Sequence, residues 1–559
     1  MPIFEESKRK DKIRSLLNKE EEELASTLAA HYGVAYLDLS TRPINIDAMR
    51  LIKEAEAREA EMAIFDVTDK RIRVALLSPR NEKALKIIER LKNQGFVPEI
   101  FMVSHQSLRK VWGRYKDLSY SFETKSGALD ISNDDILEMT GKVHTLEDIK
   151  KMITDVLSLK KAYRISRILE IILAGSIALG ASDVHLEPEE KEIRLRFRLD
   201  GVLTDILFFD RETFELLLSR IKLVSELKLN VTSIAQDGRF SIKLGQAEVE
   251  VRTSLLPGPN GESVVMRVLN PEAIAVEFDK LGIHPKLLEV INREIRKPNG
   301  LVLTTGPTGS GKTTTLYAFL KKIYTPDIKV ITIENPVEYH LEGIVQTQTD
   351  PEKNYTFAEG LRSALRQDPD VIMVGEIRDS ETAGVAINSA LTGHLVFSTL
   401  HTNNAAGTFP RLLDLGINSK VMSSAINISI AQRLVRTLCS ACKKEKTLEG
   451  KDKERIDKIL SEITDQSYLK DIQKQKVWVP VGCPACSNLG YKGRVGVYEA
   501  ILMDQNIEKI VNENPSERDI RESAKAQGLL TMQQDGVIKA LQGTTTLEEL
   551  DRVIDLESS

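Results

Sequence analysis

The chain has 559 residues, room for three to four domains at roughly 150 residues each. Hydrophobic residues make up 42% of it, so several cores can be buried and wholesale disorder is excluded. With 77 Lys and Arg against 82 Asp and Glu, the net charge of -5 gives no global support for a nucleic-acid coat or a polybasic membrane anchor. The opening run Met1 to Lys10 is charged and lacks an apolar signal core. The longest apolar stretch, Ile168 to Ala181, is interrupted by Glu170 and falls short of the roughly 20 residues that a spanning helix needs. A cytosolic chain is expected, and 4 cysteines are too few for a disulfide scaffold.

The pattern from Lys12 to Ala30 predicts an amphipathic helix, with Ile13, Leu16, Leu17, Leu24 and Leu28 near helical spacing. Strand-like runs Met62 to Val67 and Arg71 to Leu77 follow, then a helix over Glu82 to Asn93. This predicts an α/β docking domain over residues 1–116, followed by a linker over 117–161 whose polar part runs from Asp117 to Gly141. A second unit, 162–275, opens on a helix carrying Ile165, Ile168, Leu169, Ile172 and Leu173. In it Ile193, Leu195, Phe197 and Leu199 alternate with Arg194, Arg196 and Arg198, the period of a half-buried strand. Those arginines equally suit a solvated strand face. Asp200-Gly201 is a hairpin signal, and Val249, Val251 and Thr253 repeat the alternation against Glu248, Glu250 and Arg252. An α+β unit with an antiparallel sheet is expected. Beyond residue 276, the apolar runs Leu301–Leu303, Val330–Ile333, Val371–Val374 and Leu395–Phe397 are separated by helical text, which predicts a mainly parallel α/β sheet.

The chemistry is concentrated in that last unit. Gly306-Pro307-Thr308-Gly309-Ser310-Gly311-Lys312-Thr313 matches the G-x-x-x-x-G-K-[ST] phosphate loop and sits between a strand and a helix, the context the motif requires. Its glycines let backbone N–H groups converge on phosphate, Lys312 is placed for the β- and γ-phosphates, Thr313 for Mg²⁺, and Thr314 follows at the helix start. Neighbouring strand ends supply Glu338, Glu376, His394 and His401. Glu338 and Glu376 are the candidates for orienting the attacking water and holding Mg²⁺, without a choice of which does which. His394 and His401 are candidate γ-phosphate sensors, with a structural role the competing reading for each.

Three segments together resemble one family: the phosphate loop, Arg366-Gln-Asp-Pro-Asp-Val-Ile-Met-Val-Gly-Glu-Ile-Arg-Asp379, and Leu391-Thr-Gly-His-Leu-Val-Phe-Ser-Thr-Leu-His-Thr402. They are similar to the secretion ATPases, the hexameric motors of type II secretion and type IV pilus assembly. The resemblance extends from about Ser166 to the C-terminus, through Ala181-Ser-Asp-Val-His-Leu-Glu-Pro188 and Gln236-Asp-Gly-Arg239. It implies a RecA-like P-loop ATPase core over 276–559, preceded by a PAS-like α+β domain that packs over the nucleotide. By position, Gly306 to Thr313 would be Walker A, Glu334 to Tyr339 the Asp box, Arg366 to Asp379 the Walker B segment, and Leu391 to Thr402 the His box. Arg239 and Arg252 would act as arginine fingers from the α+β unit, and Arg362, Arg366 and Arg378 would be motor-domain nucleotide contacts. Two departures stand out: Asn335 replaces the usual aspartate of the Asp box, and Ala235 the usual proline before Gln-Asp-Gly-Arg.

Cys439-x-x-Cys442 and Cys483-x-x-Cys486 account for all 4 cysteines and form two knuckles suited to a structural Zn²⁺. Redox use of one pair is the competing reading. The resemblance favours zinc, because assembly motors carry a four-cysteine module that retraction motors lack. The expected subdomain spans 434–498, stapled by the metal for want of apolar text, with a helical region over 499–559. The family implies a homohexamer working peripherally at the inner membrane, through a platform protein and a cytoplasmic assembly-complex protein. Pilus extension is the favoured output and pseudopilus assembly for type II secretion the alternative. A nucleic-acid translocase would need an aromatic-studded basic channel, and aromatics are 5% of residues, so no direct nucleic acid is expected. The N-terminal text around Tyr36-Leu-Asp-Leu39 resembles the N-terminal domains of these motors, but lacks the Arg-Leu-Gly-type motif of cyclic-dinucleotide binders. Docking is therefore expected there rather than a cyclic-dinucleotide-regulated switch.

Overall fold

The computed structural model describes residues 21–556, except 40, 41, 43, 50, 69, 94, 118–121, 124–127, 131–138, 158–160, 245–246, 272–275, 471 and 514–515. The charged opening run, the first part of the helix expected from Lys12 and much of the expected linker lie outside the described residues. One compact unit holds the described residues up to Phe122 together with Val156–Ile168. The other holds the described residues of 123–155 and those from Leu169 onward. Among the described residues, no helix is long and apolar enough to cross a membrane.

The first unit contains a four-stranded sheet in the order Ala35–Tyr36, Val97–Met102, Arg71–Leu76, Met62–Thr68. Its outer hairpin is antiparallel and the other pairings are parallel. Helix Glu82–Asn93 buries Ala84, Ile88 and Leu91, the spacing of a single helical face. Asn81 starts it, its side-chain oxygen accepting from the N–H groups of Lys83 and Ala84 at 3.0 and 3.3 Å.

The second unit begins with an antiparallel sheet whose strands neighbour one another in the order Gln236–Leu244, Ala247–Gly258, Gly261–Leu269, Asp183–Pro188, Ile193–Leu199, Val202–Phe209. Ile193–Leu199 alternates strictly between buried and half-buried positions, as its text predicts. Asp200 and Gly201 close the following hairpin with φ of 49° and 85°, the conformation that two-residue turns demand. Its arginines are paired rather than merely solvated: Arg194 with Asp205 at 2.7 Å, Arg196 with Glu187, Arg198 with Asp183 at 3.2 Å. Ala128–Asp130, read from sequence as linker, adds a short strand parallel to Gln236–Leu244.

The third sheet has seven strands, ordered Val345–Gln348, Val330–Glu334, Val371–Val374, Leu395–Leu400, Gly300–Thr305, Ile426–Leu438, Tyr491–Leu502. All neighbours are parallel except the last pair. Every residue of Gly300–Thr305 and Leu395–Leu400 is buried, because helices cover both faces. On one face helix Lys312–Ile323 packs Leu316, Tyr317 and Phe319 against Val302, Phe397 and Ile428. On the other, Leu361, Ile387, Ile538 and Leu550 pack with Leu303, Ile333 and Val396.

Between the last two strands lies an excursion with its own hairpin, Lys444–Thr447 against Lys476–Val479, and helix Gly450–Ser461. The expectation that it has little apolar text is corrected here. Leu448, Ile456, Ile459, Leu460, Ile463, Tyr468 and Val477 are buried and join the same core cluster as the ATPase sheet. Helical periodicity within a highly charged segment concealed them. The strand Tyr491–Leu502 also carries sheet structure across residue 499, into the region expected to be helical; helices follow from Gln505 onward.

Candidate functional site

The parallel strand Gly300–Thr305 delivers its chain directly into the phosphate loop, and helix Lys312–Ile323 leaves it. Two glycines are required by close approach as well as by backbone conformation. At Gly306 (φ 151°) a Cβ would stand 2.6 Å from the Gln432 carbonyl oxygen. At Gly311 (φ 87°) it would stand 2.7 Å from Gln432 Nε2. Gly311 offers the helix no side-chain cap, so the first-turn N–H groups face the loop. Ser310 Oγ is buried there with no hydrogen-bond partner, an orphaned donor that suits an anion in the loop.

Lys312 is buried and donates to the Gly306 and Pro307 carbonyl oxygens at 2.8 and 3.0 Å. Burial pushes its ammonium down to about 8, with Glu376 opposing and Arg433 reinforcing that shift. Thr313 is exposed beside it. Glu376 follows strand Val371–Val374 and is held by Arg378 Nη2 at 2.7 Å, with His401 Nε2 at 3.3 Å on its other oxygen. The structure thus brings Lys312, Glu376, Arg378 and His401 to the carboxyl ends of adjacent strands.

The Asp-box segment splits into two roles. Glu334 is buried and accepts from Thr332 Oγ1 at 2.6 Å, Gln346 Nε2 at 3.1 Å and the Tyr317 hydroxyl. Burial raises its carboxyl despite those donors. Its oxygens are occupied by this anchoring network. Glu338 instead meets the antiparallel sheet: Arg252 Nη1 lies 3.5 Å from its Oε2, and Arg252 Nη2 donates to the Val337 carbonyl at 3.2 Å. Burial raises the Glu338 carboxyl, and Arg252 and Arg267 oppose the rise. Asn335 is exposed between the two carboxylates.

Arg239, Arg252 and Arg267 occupy one row of the antiparallel sheet, directly opposite one another on three strands. Arg267 closes onto Asp183 at 3.0 Å, while Arg239 is exposed. Like charges in register repel, and carboxylates meet two of the three: Glu250 at 3.0 Å and Glu338 at 3.5 Å on Arg252, and Asp183 on Arg267. Arg267 was not among the residues singled out from sequence, although its place in Val-Val-Met-Arg-Val-Leu follows the same alternation that turns Arg252 to that face.

Three expected residues are not brought to the loop. Arg362 pairs with Glu359 and Glu381, each at 2.7 Å, and Arg366 caps its own helix by bonding the Arg362 carbonyl and Ser363. His394 precedes the strand Leu395–Leu400, so it lies at the end opposite to His401. Its carbonyl accepts from Gly300 N at 3.1 Å, at the far end of the strand that carries the phosphate loop. In a parallel sheet six residues separate those ends by about 20 Å. His394 therefore cannot sense a phosphate held by its own chain's loop, contrary to the sequence expectation.

The four cysteine sulfurs all lie within 4.8 Å of one another. The Cys439–Cys483, Cys442–Cys486 and Cys483–Cys486 separations are 3.9, 3.9 and 3.7 Å. A tetrahedron with Zn–S bonds of 2.3 Å has edges of about 3.8 Å, so the donor set fits zinc. Burial would raise the Cys486 thiol, but N–H groups of Cys483 and Gly490, donating at 3.3 and 3.2 Å, together with the neighbouring Cys483 and Cys442 thiols, outweigh it and bring it to about 7. A Zn²⁺ held by all four sulfurs would have no open position for water, the pattern of a structural rather than a catalytic site.

A phosphate loop flanked by a carboxylate at a neighbouring strand end, on a parallel sheet covered on both faces, defines a P-loop nucleoside triphosphatase with a RecA-like core. The chain belongs to the type II/IV secretion system protein family, whose model matches residues 158–552; the MshEN domain model matches residues 32–121. It is 41% identical to the type II secretion system protein E of Pseudomonas aeruginosa over 440 residues, 78% of this chain and 84% of that protein. It is 38% identical to the type II secretion system ATPase E of Vibrio cholerae over 482 residues, 85% and 91% of the two chains. It is 35% identical to the type IV pilus assembly ATPase PilB of Myxococcus xanthus over 534 residues, 95% and 91%. The Yersinia pseudotuberculosis ATPase DotB shares the fold, with a TM-score of 0.50 at 20% identity over 69% of this chain and 93% of that one. The chain is an ATP-hydrolysing enzyme of the secretion and pilus-assembly class.

Proposed function

We propose that this protein is a cytoplasmic, homohexameric motor that hydrolyses Mg²⁺-ATP to drive type IV pilus extension through an inner-membrane platform protein. The observation that carries the catalytic reading is the meeting of Lys312, Glu376 and His401 at adjacent strand ends. In this reading Gly306 to Thr314 cradle the phosphates, Thr313 ligates Mg²⁺, and Glu376 orients the attacking water. Arg239 and Arg252 meet phosphate as the α+β sheet closes, each finger worth about 10³–10⁵ in rate. Glu338 holds Arg252 in place at 3.5 Å until then. Arg362, Arg366 and Arg378 are assigned to contacts with nucleotide or with the neighbouring subunit. Zn²⁺ braces the excursion, and a cytoplasmic assembly-complex protein engages the N-terminal domain.

Pilus extension is supported by the relative aligned over 95% of this chain. Type II secretion is the second reading, supported by the higher identity, 41%, of protein E of Pseudomonas aeruginosa. Hydrolysis measured with the cytoplasmic domains of a pilus platform protein and of a type II secretion platform protein separates them. Stimulation by the first alone supports pilus extension. Stimulation by the second alone overturns it in favour of secretion.

A further inference from the structure

Arg433 lies on the long strand Ile426–Leu438, immediately behind the phosphate loop, and its side chain is more than nine-tenths buried. Its fork spans two carbonyl oxygens from different parts of the chain: Nη1 donates to Gln432 at 3.0 Å and Nη2 to Asn403 at 2.7 Å. Among the described residues, no carboxylate comes within ion-pair distance of it. The nearest acidic influence is Glu499, whose oxygens already accept from Ala405 and Met532 N–H groups at 2.7 and 3.1 Å. A buried guanidinium held only by neutral carbonyls is expensive as a packing element, since hydrophobic residues fill such a space at lower cost.

Its position supplies a reason for keeping it. Nη1 stands 3.1 Å from where a Cβ on Gly306 would be, against the first turn of the phosphate loop. The neighbouring Gln432 grips the other end of that loop, accepting from Thr315 Oγ1 at 2.8 Å and abutting Gly311. Asn403, the second anchor, belongs to the turn that follows His401. That turn is also fixed by Thr402, whose N–H donates to Thr305 Oγ1 at 3.0 Å. His401 in turn bonds Glu376.

We infer that Arg433 is a positioning residue for ATP hydrolysis: it locks the first turn of the phosphate loop to the turn after His401, so that Lys312 and the Glu376–His401 pair keep a fixed register across two strand ends. The inference rests on the catalytic reading above.

Two variants of the full chain, assayed for Mg²⁺-ATP hydrolysis with kcat and KM determined separately, test this. Arg433→Lys keeps the charge and loses the fork. It is expected to lower kcat by about 10²-fold, the cost of a displacement of about 1 Å at a reacting centre, with KM nearly unchanged. Arg433→Gln also loses the charge. It is expected to lower kcat similarly, again with KM nearly unchanged. Wild-type kcat in both folded variants overturns the inference. So does a loss of kcat that only tracks a fall in thermal midpoint, with KM rising. Glu376→Gln and Lys312→Ala are measured alongside. If these two keep hydrolysis, the catalytic reading itself falls; if they abolish it while the Arg433 variants behave as wild type, only the inference about Arg433 does.

Discussion

Lys312 is the residue on which burial and charge bear most directly. Its ammonium is brought to about 8 because burial disfavours the cation more than Glu376 favours it. The loop carbonyls it now bonds are the partners it must leave to reach a phosphate. Free enzyme should therefore lose kcat/KM as pH rises through about 8, where Lys312 gives up its proton, and hold it below. A pH profile of kcat/KM checks this, and Lys312→Ala should abolish nucleotide binding measured with a fluorescent ATP analogue. The phosphate loop was legible in the sequence because its chemistry is local: eight consecutive residues between a strand and a helix. Tyr317, Gln346, Arg267 and Arg433 were not, because each acquires its role from a partner distant in the chain. Arg433 reaches Asn403 across 30 residues, and Arg252 reaches Glu338 across 86. His394 misled for the opposite reason. It lies seven residues from His401 in the text, and only the run of a straight strand puts them at opposite ends.

At the scale of elements, two buried polar arrangements carry testable stability. In the α+β unit, Lys222 Nζ donates to Glu262 at 2.7 Å and to the Val231 carbonyl at 2.9 Å, with both ionic side chains almost wholly buried. Removing one partner strands the other charge. Lys222→Met should cost about 3–5 kcal/mol by chemical denaturation, and the double variant Lys222→Met/Glu262→Gln should recover much of it. In the excursion, a Zn²⁺ held by the four sulfurs should be released in Cys486→Ser and the thermal midpoint lowered, each kcal/mol lost moving a domain of 150–250 residues by about 2–4 °C. Because Ile456, Leu460 and Tyr468 remain packed in the ATPase core, the excursion should loosen without unfolding that core. Metal analysis and calorimetry check both effects. The strand alternation and both cysteine knuckles were plain in the text. The excursion's apolar face was not, since helix Gly450–Ser461 presents Ile456, Ile459 and Leu460 among seven charged residues.

At the scale of the whole molecule, the α+β sheet and the ATPase sheet are joined near the nucleotide side by Arg252 on Glu338, and at a hairpin tip by Asp200 accepting from Gly493 N at 2.8 Å. The arginine row that includes Arg252 is so placed that a bound anion would compete with Glu338 for it. Glu338→Gln should therefore weaken the resting contact and change KM for ATP more than Glu376→Gln does, a difference that steady-state kinetics resolves. The mainly parallel ATPase core followed from the continuous apolar runs. The strand Ile426–Leu438 escaped because Gln432 and Arg433 interrupt its apolar pattern, and those same residues grip the phosphate loop. The proposed hydrolysis of ATP by a ring with Glu376 at its catalytic centre is tested most directly by measuring Mg²⁺-ATP hydrolysis against protein concentration, with size determined in parallel, for wild type and Glu376→Gln. Activity should rise with hexamer formation and be lost in Glu376→Gln while ATP binding persists. Hydrolysis by a monomer at full rate, or an active Glu376→Gln variant, would contradict it.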